Sequence, residues 1–386
     1  MNFILTLISL FILTDLLWWG STWRRLKTPA MRVVVSLFAV SLLAGLAMVL
    51  GSRWMNANGT TGLPRPLISV IFLWHLLIAL PWLVLFVSTA LVRGVRRLLV
   101  RRTQSHHPSS GEVMARREWI KAGVTLAPAV LTAGGAIFGE RQLEQFRLRR
   151  LILPISGLPP SLDGLTIAHV SDVHVGHFTR GAVLERIVRT TNDLKADLVL
   201  MTGDLINLAL RDLPVGIDLV RGLRGREGVF LCEGNHDLME DPVKFRRQVR
   251  RAGLPFLLEE GSSVAVHGTS IQVLGTAWSH TDADHAESME RLRALRDPKA
   301  FHIVLAHHPH AFDFADDFPL VLAGHTHGGQ LMLTQDIGCG PWMFRYWSGE
   351  YRRPGRTLVV SNGVGNWFPV RINAPAEILH LTLRPA

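Results

Sequence analysis

Residues Thr166-Ile167-Ala168-His169-Val170-Ser171-Asp172-Val173-His174 form a short apolar run that ends in a carboxylate and an imidazole. Four later clusters of polar residues follow apolar runs in the same way: Gly203-Asp204, Glu233-Gly234-Asn235-His236-Asp237, His307-His308-Pro309 and Gly324-His325-Thr326-His327. Between them lie segments with the spacing of amphipathic helices. This alternation predicts an α/β domain in which strands and helices follow one another.

The pattern predicts individual elements over the second half of the chain. Strands are predicted at 166–170, 198–201, 229–232, 303–306, 320–322 and 357–360. Helices are predicted at 180–194, 214–223, 242–252 and 285–295. Each polar cluster then follows the carboxyl end of a strand. Ligands of open α/β sheets bind at that edge, so we expect the clusters to converge on one crevice.

The side chains of these clusters indicate metal chemistry. Carboxylate oxygens, an amide oxygen and imidazole nitrogens suit Mn, Fe, Zn or a similar divalent ion, and seven such groups exceed what one ion needs. Two metal ions are therefore implied. Taken singly, an Asp or a His at the end of a strand is more often a turn former or a hydrogen-bonding residue, so the prediction depends on the joint occurrence.

The motifs D-x-H, G-D, G-N-H-D, H-x-P and G-H-x-H, in this order, resemble those of the calcineurin-like metallophosphoesterases. Residues 324–330, Gly-His-Thr-His-Gly-Gly-Gln, resemble the membrane-associated bacterial branch of that family. The resemblance covers about residues 150–386 and implies an α/β/β/α sandwich. It also implies a reaction in which a hydroxide shared by two metal ions attacks phosphorus.

The resemblance assigns a role to each site residue. The first metal would be held by Asp172, His174 and His327, the second by Asn235, His307 and His325, with Asp204 bridging both. His236 would be the general acid for the leaving oxygen, and Asp237 its orienting partner. Many family members continue G-D-x-x-D/E, whereas this chain has Asn207 at the last position, which weakens any supporting role for that residue.

Other residues of the second half have simpler interpretations. His169 and His302 lie within strands and are expected to be structural, and Cys232 is expected to be a small buried hydrophobic residue. His177 could contact substrate. Aromatic residues follow the last metal motif and are expected to pack in the core or to line a lipid-facing or substrate-facing lip: Trp342, Phe344, Tyr346 and Trp347.

The first half of the chain differs from the second in its long apolar stretches. Four apolar stretches lie near 3–20, 33–51, 67–92 and 122–138. Each is close to the ~20 residues with which a helix crosses a bilayer, which predicts a multi-pass membrane anchor over residues 1–143 and a hydrolase domain over 144–386. Core helices of a soluble protein are the alternative, but 33–51 carries no charge on any face. The first stretch, which contains Asp15, and the short fourth one have the weaker pattern.

Loop charges predict the orientation of this anchor. The first and third loops hold twelve Lys and Arg residues, and the second holds two. Because basic loops stay in the cytoplasm, we expect the hydrolase domain on the outer face of the inner membrane of a bacterial cell. Arg116 and Arg117, which precede the fourth stretch, resemble an internal twin-arginine export signal and so suggest the export machinery as a partner. The alternative is that they are two more cytoplasmic arginines.

Charge and cysteine content exclude other classes. Residues 1–150 carry 18 basic and 5 acidic residues, between long apolar runs, and the remainder carries 23 and 26, so no nucleic-acid partner is expected. Two cysteines without a C-x-x-C pair exclude a thiolate zinc finger. The sequence predicts a membrane-anchored phosphoesterase acting on mono- or diesters of lipid or envelope substrates. A UDP-diacylglucosamine-type lipid pyrophosphate hydrolase, a non-catalytic membrane sensor and a transporter are the alternatives.

Overall fold

The computed structural model describes residues 2–54, 63–99, 111–330, 332, 334 and 344–386. The chain divides into two compact units, Met1–Glu140 and Arg141–Ala386. Cys339, the second of the two cysteines, and Trp342 lie outside the described residues, as do Arg101 and Arg102, two of the basic residues counted in the third loop.

The first unit is helical. It contains α1 (Asn2–Arg25), α2 (Pro29–Trp54), α3 (Arg65–Leu73), a π-helical segment (Trp74–Ala79), α4 (Leu80–Leu99) and most of α5 (Gly111–Gln142). All four predicted apolar stretches lie in helices. Within the described residues, however, only Pro29–Val49 and Pro66–Arg96 are long and apolar enough to be candidate membrane spans. The prediction of four spans is thus supported for two of them, and the other two remain a prediction.

Aromatic side chains form the core of this helical unit. The Trp18 ring on α1 packs edge-on against Trp74, with 4.7 Å between centroids, and both rings also contact Phe38 of α2. Asp15 is buried beside them and accepts hydrogen bonds from Trp74 Nε1 at 2.6 Å and from His75 Nε2 at 3.0 Å. Asp15 and His75, which the sequence places inside apolar stretches, therefore make a helix–helix contact.

The second unit is an α/β domain. Its strands are β1 (Arg147–Ile155), β2 (Thr166–Val170), β3 (Leu198–Thr202), β4 (Gly228–Cys232), β5 (Glu260–Val266), β6 (Thr269–Gly275), β7 (Phe301–Leu305), β8 (Leu320–Ala323), β9 (Gly349–Arg353), β10 (Arg356–Val360) and β11 (Glu377–Pro385). Its helices are α6 (Ala182–Asp193), α7 (Leu213–Gly222), α8 (Pro242–Arg251) and α9 (Asp282–Ala294). The six predicted strands and four predicted helices are all confirmed, with small shifts at their ends.

The strands form two sheets with the orders β1-β11-β2-β3-β4 and β5-β6-β7-β8-β10-β9. Apolar residues from both sheets, among them Ile167, Leu200, Ile303 and Leu322, share one buried cluster. A second cluster joins the first sheet to α6, α7 and α8, and a third joins the second sheet to α9. Two sheets thus pack face to face with helices outside them, the layered arrangement that the resemblance implies.

Three of the five strands that the sequence pattern missed lie at sheet edges: β1, β5 and β9. Edge strands face solvent along one side and tolerate polar residues. In β5, Glu-Gly-Ser-Ser-Val-Ala-Val, half-buried and exposed residues alternate up to the buried Val266. A strand of this kind lacks the apolar run that identifies β2 or β3. The pairing of β11 antiparallel to β2 brings Glu377 to the edge that carries Asp172.

Candidate metal centre

Backbone hydrogen bonds connect the loops that follow β2 and β3. Asp172 N–H donates to Gly203 O at 3.1 Å, and His174 N–H donates to Asp204 O at 2.9 Å. The carboxylates reach loops that come later in the chain. Asp204 Oδ1 accepts the His236 N–H at 2.8 Å, and Asp172 Oδ1 accepts the His325 N–H at 3.0 Å. The predicted convergence of distant loops is observed at this edge.

Five of the predicted ligands have a left-handed backbone, with φ of 54° at Asp172, 48° at His174, 53° at Asp204, 70° at His325 and 50° at His327. Such angles are uncommon for residues other than glycine and cost of order 1–3 kcal/mol each where the surroundings enforce them. Strain of this kind concentrates at functional sites. The sharp turns direct consecutive polar side chains into one small volume.

Among the described residues, three overlapping groups of side chains lie close enough to hold a metal ion: Asp172, His174 and His327; His174, Asp204 and His236; and Asp172, Asp204 and His307. Asp172, Asp204 and His174 each belong to two groups. His307 Nε2 lies 3.3 Å from Asp204 Oδ2, and His327 Nε2 lies 3.2 Å from Asp172 Oδ1. This sharing is what two adjacent ions require.

Asn235 connects the remaining predicted ligands. Its Oδ1 lies 3.1 Å from His307 Nε2 and 2.9 Å from His325 Nδ1. The two rings are 5.0 Å apart between centroids, and Trp278 contacts both of them. The structure thus brings together all seven residues to which the sequence analysis assigned metal binding.

A polar atom in this cluster has no hydrogen-bond partner among the described residues. His174 Nε2 lies 2.9 Å from His327 Nε2, close enough for an N–H···N hydrogen bond, whereas the buried Nδ1 of His174 has no partner in the described part of the chain. Buried polar atoms normally have partners, so this atom needs an explanation. Oxygen and nitrogen donors around a shared point fit divalent cations such as Mn, Fe or Zn.

The carboxylates of the site are ionised. Burial alone would raise the pKa of Asp204, but the facing imidazoles of His307 and His236 hold that pKa well below its usual value. The pKa of Asp172 is likewise lowered, because His327 outweighs the effect of burial. Both groups therefore carry a negative charge at neutral pH, as ligands of a cation must.

The imidazoles differ from one another in charge. Burial lowers the pKa of His174 and that of His327, and burial together with His307 lowers the pKa of His325 to about 3. These rings are neutral at neutral pH. Burial would lower the pKa of His307 too, but Asp204 and Asp172 raise it to about 9. Three of the four histidines thus already have the neutral state that metal ligands need.

His236 lies at the rim of this cluster, with its ring edge-on to His174 at 4.6 Å between centroids. Its Nδ1 lies 2.6 Å from the backbone oxygen of Asn207, which orients the ring. The prediction that Asp237 orients His236 is wrong. Both oxygens of the buried Asp237 accept backbone N–H groups instead, from Ile206 and Gly234, because the two loops need a common acceptor there.

Two glycines permit this close packing. A Cβ at Gly234 would lie 2.3 Å from Asp204 Oδ1, and a Cβ at Gly324 would lie 2.2 Å from Asp172 Oδ2. No side chain fits at either position without moving a carboxylate of the site. The motifs G-N-H-D and G-H-x-H therefore need glycine at their first position for a steric reason, since a larger residue would clash with a carboxylate.

Two buried charged residues near the site were not predicted. Arg371 bonds the backbone oxygens of Asn362, Gly365 and Ala374, and its Nη2 lies 2.9 Å from His327 Nδ1. Glu233 accepts two hydrogen bonds from Arg246 and one from the Trp278 N–H. The sequence gives little signal for either, apart from an arginine set between two apolar residues, Val370 and Ile372.

Most of the other residues that the sequence analysis names have structural roles. His169 Nε2 bonds the Thr202 hydroxyl at 2.8 Å, and His302 Nε2 bonds Asp297 O at 2.9 Å, so the structural interpretation of both is confirmed. Cys232 is buried as expected, and burial raises the pKa of its thiol. His177 contacts the ring of Phe178. Tyr346 and Trp347 are core residues, and the Phe344 ring contacts His308, His310 and His325.

Known proteins share this domain. The family model described as calcineurin-like phosphoesterase matches residues 165–329. The uncharacterized metallophosphoesterase YkuE of Bacillus subtilis is 29% identical over 290 residues, which are 70% of this chain and 98% of that protein. A Danio rerio transmembrane protein with metallophosphoesterase domain is 29% identical over 295 residues, or 68% of this chain and 63% of the relative. Phosphodiesterase YaeI of Escherichia coli is 26% identical over 230 residues, or 56% of this chain and 81% of that protein.

The match of the family model includes the loops of Asp172, Asp204, Asn235, His307 and His325. Domains of this family bind divalent metals, in agreement with the donor groups found at the sheet edge. The chain therefore carries a calcineurin-like metallophosphoesterase domain, and its relatives include bacterial proteins that are named metallophosphoesterases.

Proposed function

We propose that this protein is a membrane-anchored phosphoesterase that uses two divalent metal ions to hydrolyse phosphate mono- or diesters. The observation that carries the proposal is the convergence of seven oxygen and nitrogen donors at one sheet edge, five of them on strained backbone. Relatives named metallophosphoesterase and phosphodiesterase support the reaction class.

In this proposal Asp172, His174 and His327 would hold one ion and Asn235, His307 and His325 the other, with Asp204 available to both. When bound, two such ions would acidify a water molecule and balance the negative charge that develops on a phosphate ester. The chain's own carboxylates keep these ions together. Asp204 suits the shared position because its Oδ2 lies 3.5 Å from His174 Nε2 and 3.3 Å from His307 Nε2, one imidazole of each proposed ligand set.

His236 is proposed as the general acid that donates a proton to the leaving oxygen. Its Nδ1 is held by Asn207 O, so Nε2 is the nitrogen left for proton transfer. A positioned acid of this kind typically contributes about 10² to 10⁴ in rate. Because His236 also lies within one candidate ligand group, metal content must be measured alongside turnover.

Membrane association is proposed from the two candidate spans and from relatives named as transmembrane proteins. The loop charges favour a catalytic domain on the outer face of the inner membrane, with a lipid or another envelope ester as substrate. A role of the twin-arginine export machinery is part of the same proposal. An enzyme on the cytoplasmic side would favour the lipid pyrophosphate alternative instead.

The proposal is tested with the purified full chain in detergent. Mono- and diesters of p-nitrophenol and of glycerol are offered in the presence of Mn, Fe or Zn after chelation. We expect hydrolysis of at least one class only when a metal is returned. A chain that binds metal and cleaves none of these esters would remove the catalytic proposal.

A further inference from the structure

The His236 ring contacts both a candidate metal ligand and a partly exposed aromatic side chain. Its centroid lies 4.6 Å from that of His174 and 6.2 Å from that of Trp367. A group that accepts a proton from His236 must therefore lie close to Trp367. What surrounds His236 decides which leaving groups fit there.

Three partly exposed apolar residues lie near His236, Trp367 by a ring contact and Leu208 and Met239 by their positions in the chain. Trp367 is 36% exposed, Leu208 is 36% exposed and Met239 is 46% exposed. Leu208 follows Asn207, whose backbone oxygen holds the His236 ring, and the Met239 N–H bonds His236 O. The ring contact with His236 distinguishes Trp367 from apolar residues scattered singly over a protein surface, which need no explanation.

The position of Trp367 is fixed by its neighbours. Asn366 N–H donates to the Thr179 hydroxyl at 2.9 Å, and the Asn366 side chain bonds Arg371 and Leu143 O. The Trp367 ring also contacts Phe368 at 5.6 Å between centroids. A half-buried tryptophan held in this way offers a preformed surface and loses little conformational freedom when an apolar group packs on it.

Glu240, the acidic residue that follows Met239, already has a hydrogen-bond partner, because its carboxylate accepts the Leu210 N–H at 2.7 Å. Trp367, Leu208 and Met239 thus present apolar atoms and an aromatic face, in addition to the polar groups that His236 contacts, the Asn207 carbonyl and the Asp204 carboxylate. A polar or charged leaving group would lose water there and gain few hydrogen bonds in return.

We infer that Trp367, Leu208 and Met239 form an apolar wall that binds the leaving group of the substrate. The leaving alcohol is accordingly an alkyl or comparable apolar group. This inference rests on the proposed function, because it takes His236 to be the acid at the leaving oxygen. It specifies the chemical class of the alcohol that leaves when the ester bond is broken.

The test uses leaving alcohols of matched length. Butyl and 2-methoxyethyl phosphates, each as the monoester and as the methyl diester, are offered to the metal-loaded full chain in lipid nanodiscs. We expect kcat/KM to be about tenfold higher for the butyl ester, the scale of a small apolar group bound in a pocket. Trp367→Ser should reduce this preference at least fivefold. Leu295→Ser, which changes an apolar residue that is 45% exposed at the end of α9, is the control and should keep the preference.

The outcomes distinguish a failure of the proposed function from a failure of the inference about the leaving group. If neither these esters nor those of p-nitrophenol and glycerol are cleaved, the proposed function fails, and the inference fails with it. If only the esters of p-nitrophenol or glycerol are cleaved, the inference alone is overturned. If both are cleaved equally and Trp367→Ser leaves their ratio unchanged, only the inference is overturned. Equal losses for both esters, together with weaker binding of Trp367→Ser chains to phosphatidylglycerol vesicles, would assign Trp367 to bilayer contact and also overturn it.

Discussion

The helical unit and the α/β unit both bury carboxylates beside imidazoles. The two units differ in the hydrogen-bond partners of these buried groups. In the helical unit, Asp15 accepts one bond from Trp74 and one from His75, and the other nitrogen of His75 faces Ile71 O at 2.8 Å. At the sheet edge, the Nε2 atoms of His174 and His327 lie 2.9 Å apart, and His174 Nδ1 has no partner among the residues that the structure describes.

The difference indicates what each cluster is for. A buried polar group with a full set of partners stabilises one arrangement of helices. A cluster whose donors and acceptors do not match is costly unless a ligand completes it. Residue types alone do not distinguish the two clusters, since Asp and His occur in both. The hydrogen-bond partners of each atom do distinguish them.

The largest effect is expected for Asp204→Asn, which tests the incomplete cluster directly. An amide carries no charge and would bridge two cations poorly, so metal content and turnover should fall together, turnover by at least about 10³-fold. Metal analysis and ester hydrolysis are measured on the same preparation. Wild-type metal content in this variant would contradict the shared position of Asp204.

His236→Ala should be the next most severe change. If the ring acts as an acid rather than as a ligand, turnover falls by about 10² to 10⁴ while both metals remain bound. Metal content per chain decides between the two roles. Loss of metal to the same extent as in Asp204→Asn would make His236 a ligand.

Asp15→Ala tests the satisfied cluster. Removing one partner of a buried pair leaves His75 and Trp74 without their acceptor, which we expect to lower the stability of the helical unit by about 3 kcal/mol. Metal content and turnover at 25 °C should stay at the wild-type level. A variant that lost metal would show that the two clusters are coupled.

The smallest effect is expected for replacing Arg116 and Arg117 by lysine. The charge is kept, so the orientation predicted from the loops should not change, but a twin-arginine signal should weaken. A reporter that is active only outside the cytoplasm, fused after Ala386, measures export. Unchanged export would refute the signal and leave the orientation intact, and a reporter that is silent even in the wild type would place the domain in the cytoplasm.

Much of the α/β unit could be predicted from the sequence because its strands are apolar runs with polar residues at one end. Residues at the ends of β2 and β3, such as Asp172 and Asp204, have positions that the strand pattern alone determines. The ordered motifs then identify the edge at which they meet.

Contacts made by backbone atoms could not be predicted in this way. The carbonyl of Asn207 orients His236, and Arg371 reaches His327 from a loop with no recognisable pattern. Such contacts depend on how loops cross in three dimensions. Edge strands such as β5 were missed for a related reason, since solvent on one side removes the apolar run.

The central claim is that the unsatisfied cluster at the sheet edge binds two catalytic metal ions. The most direct measurement is the metal content of the full chain, with ester hydrolysis followed as the ions are removed and returned. We expect about two divalent ions per chain at saturation, no hydrolysis after chelation, and recovery when Mn or a similar ion is added. Full hydrolysis by a chain that contains no metal would contradict the account.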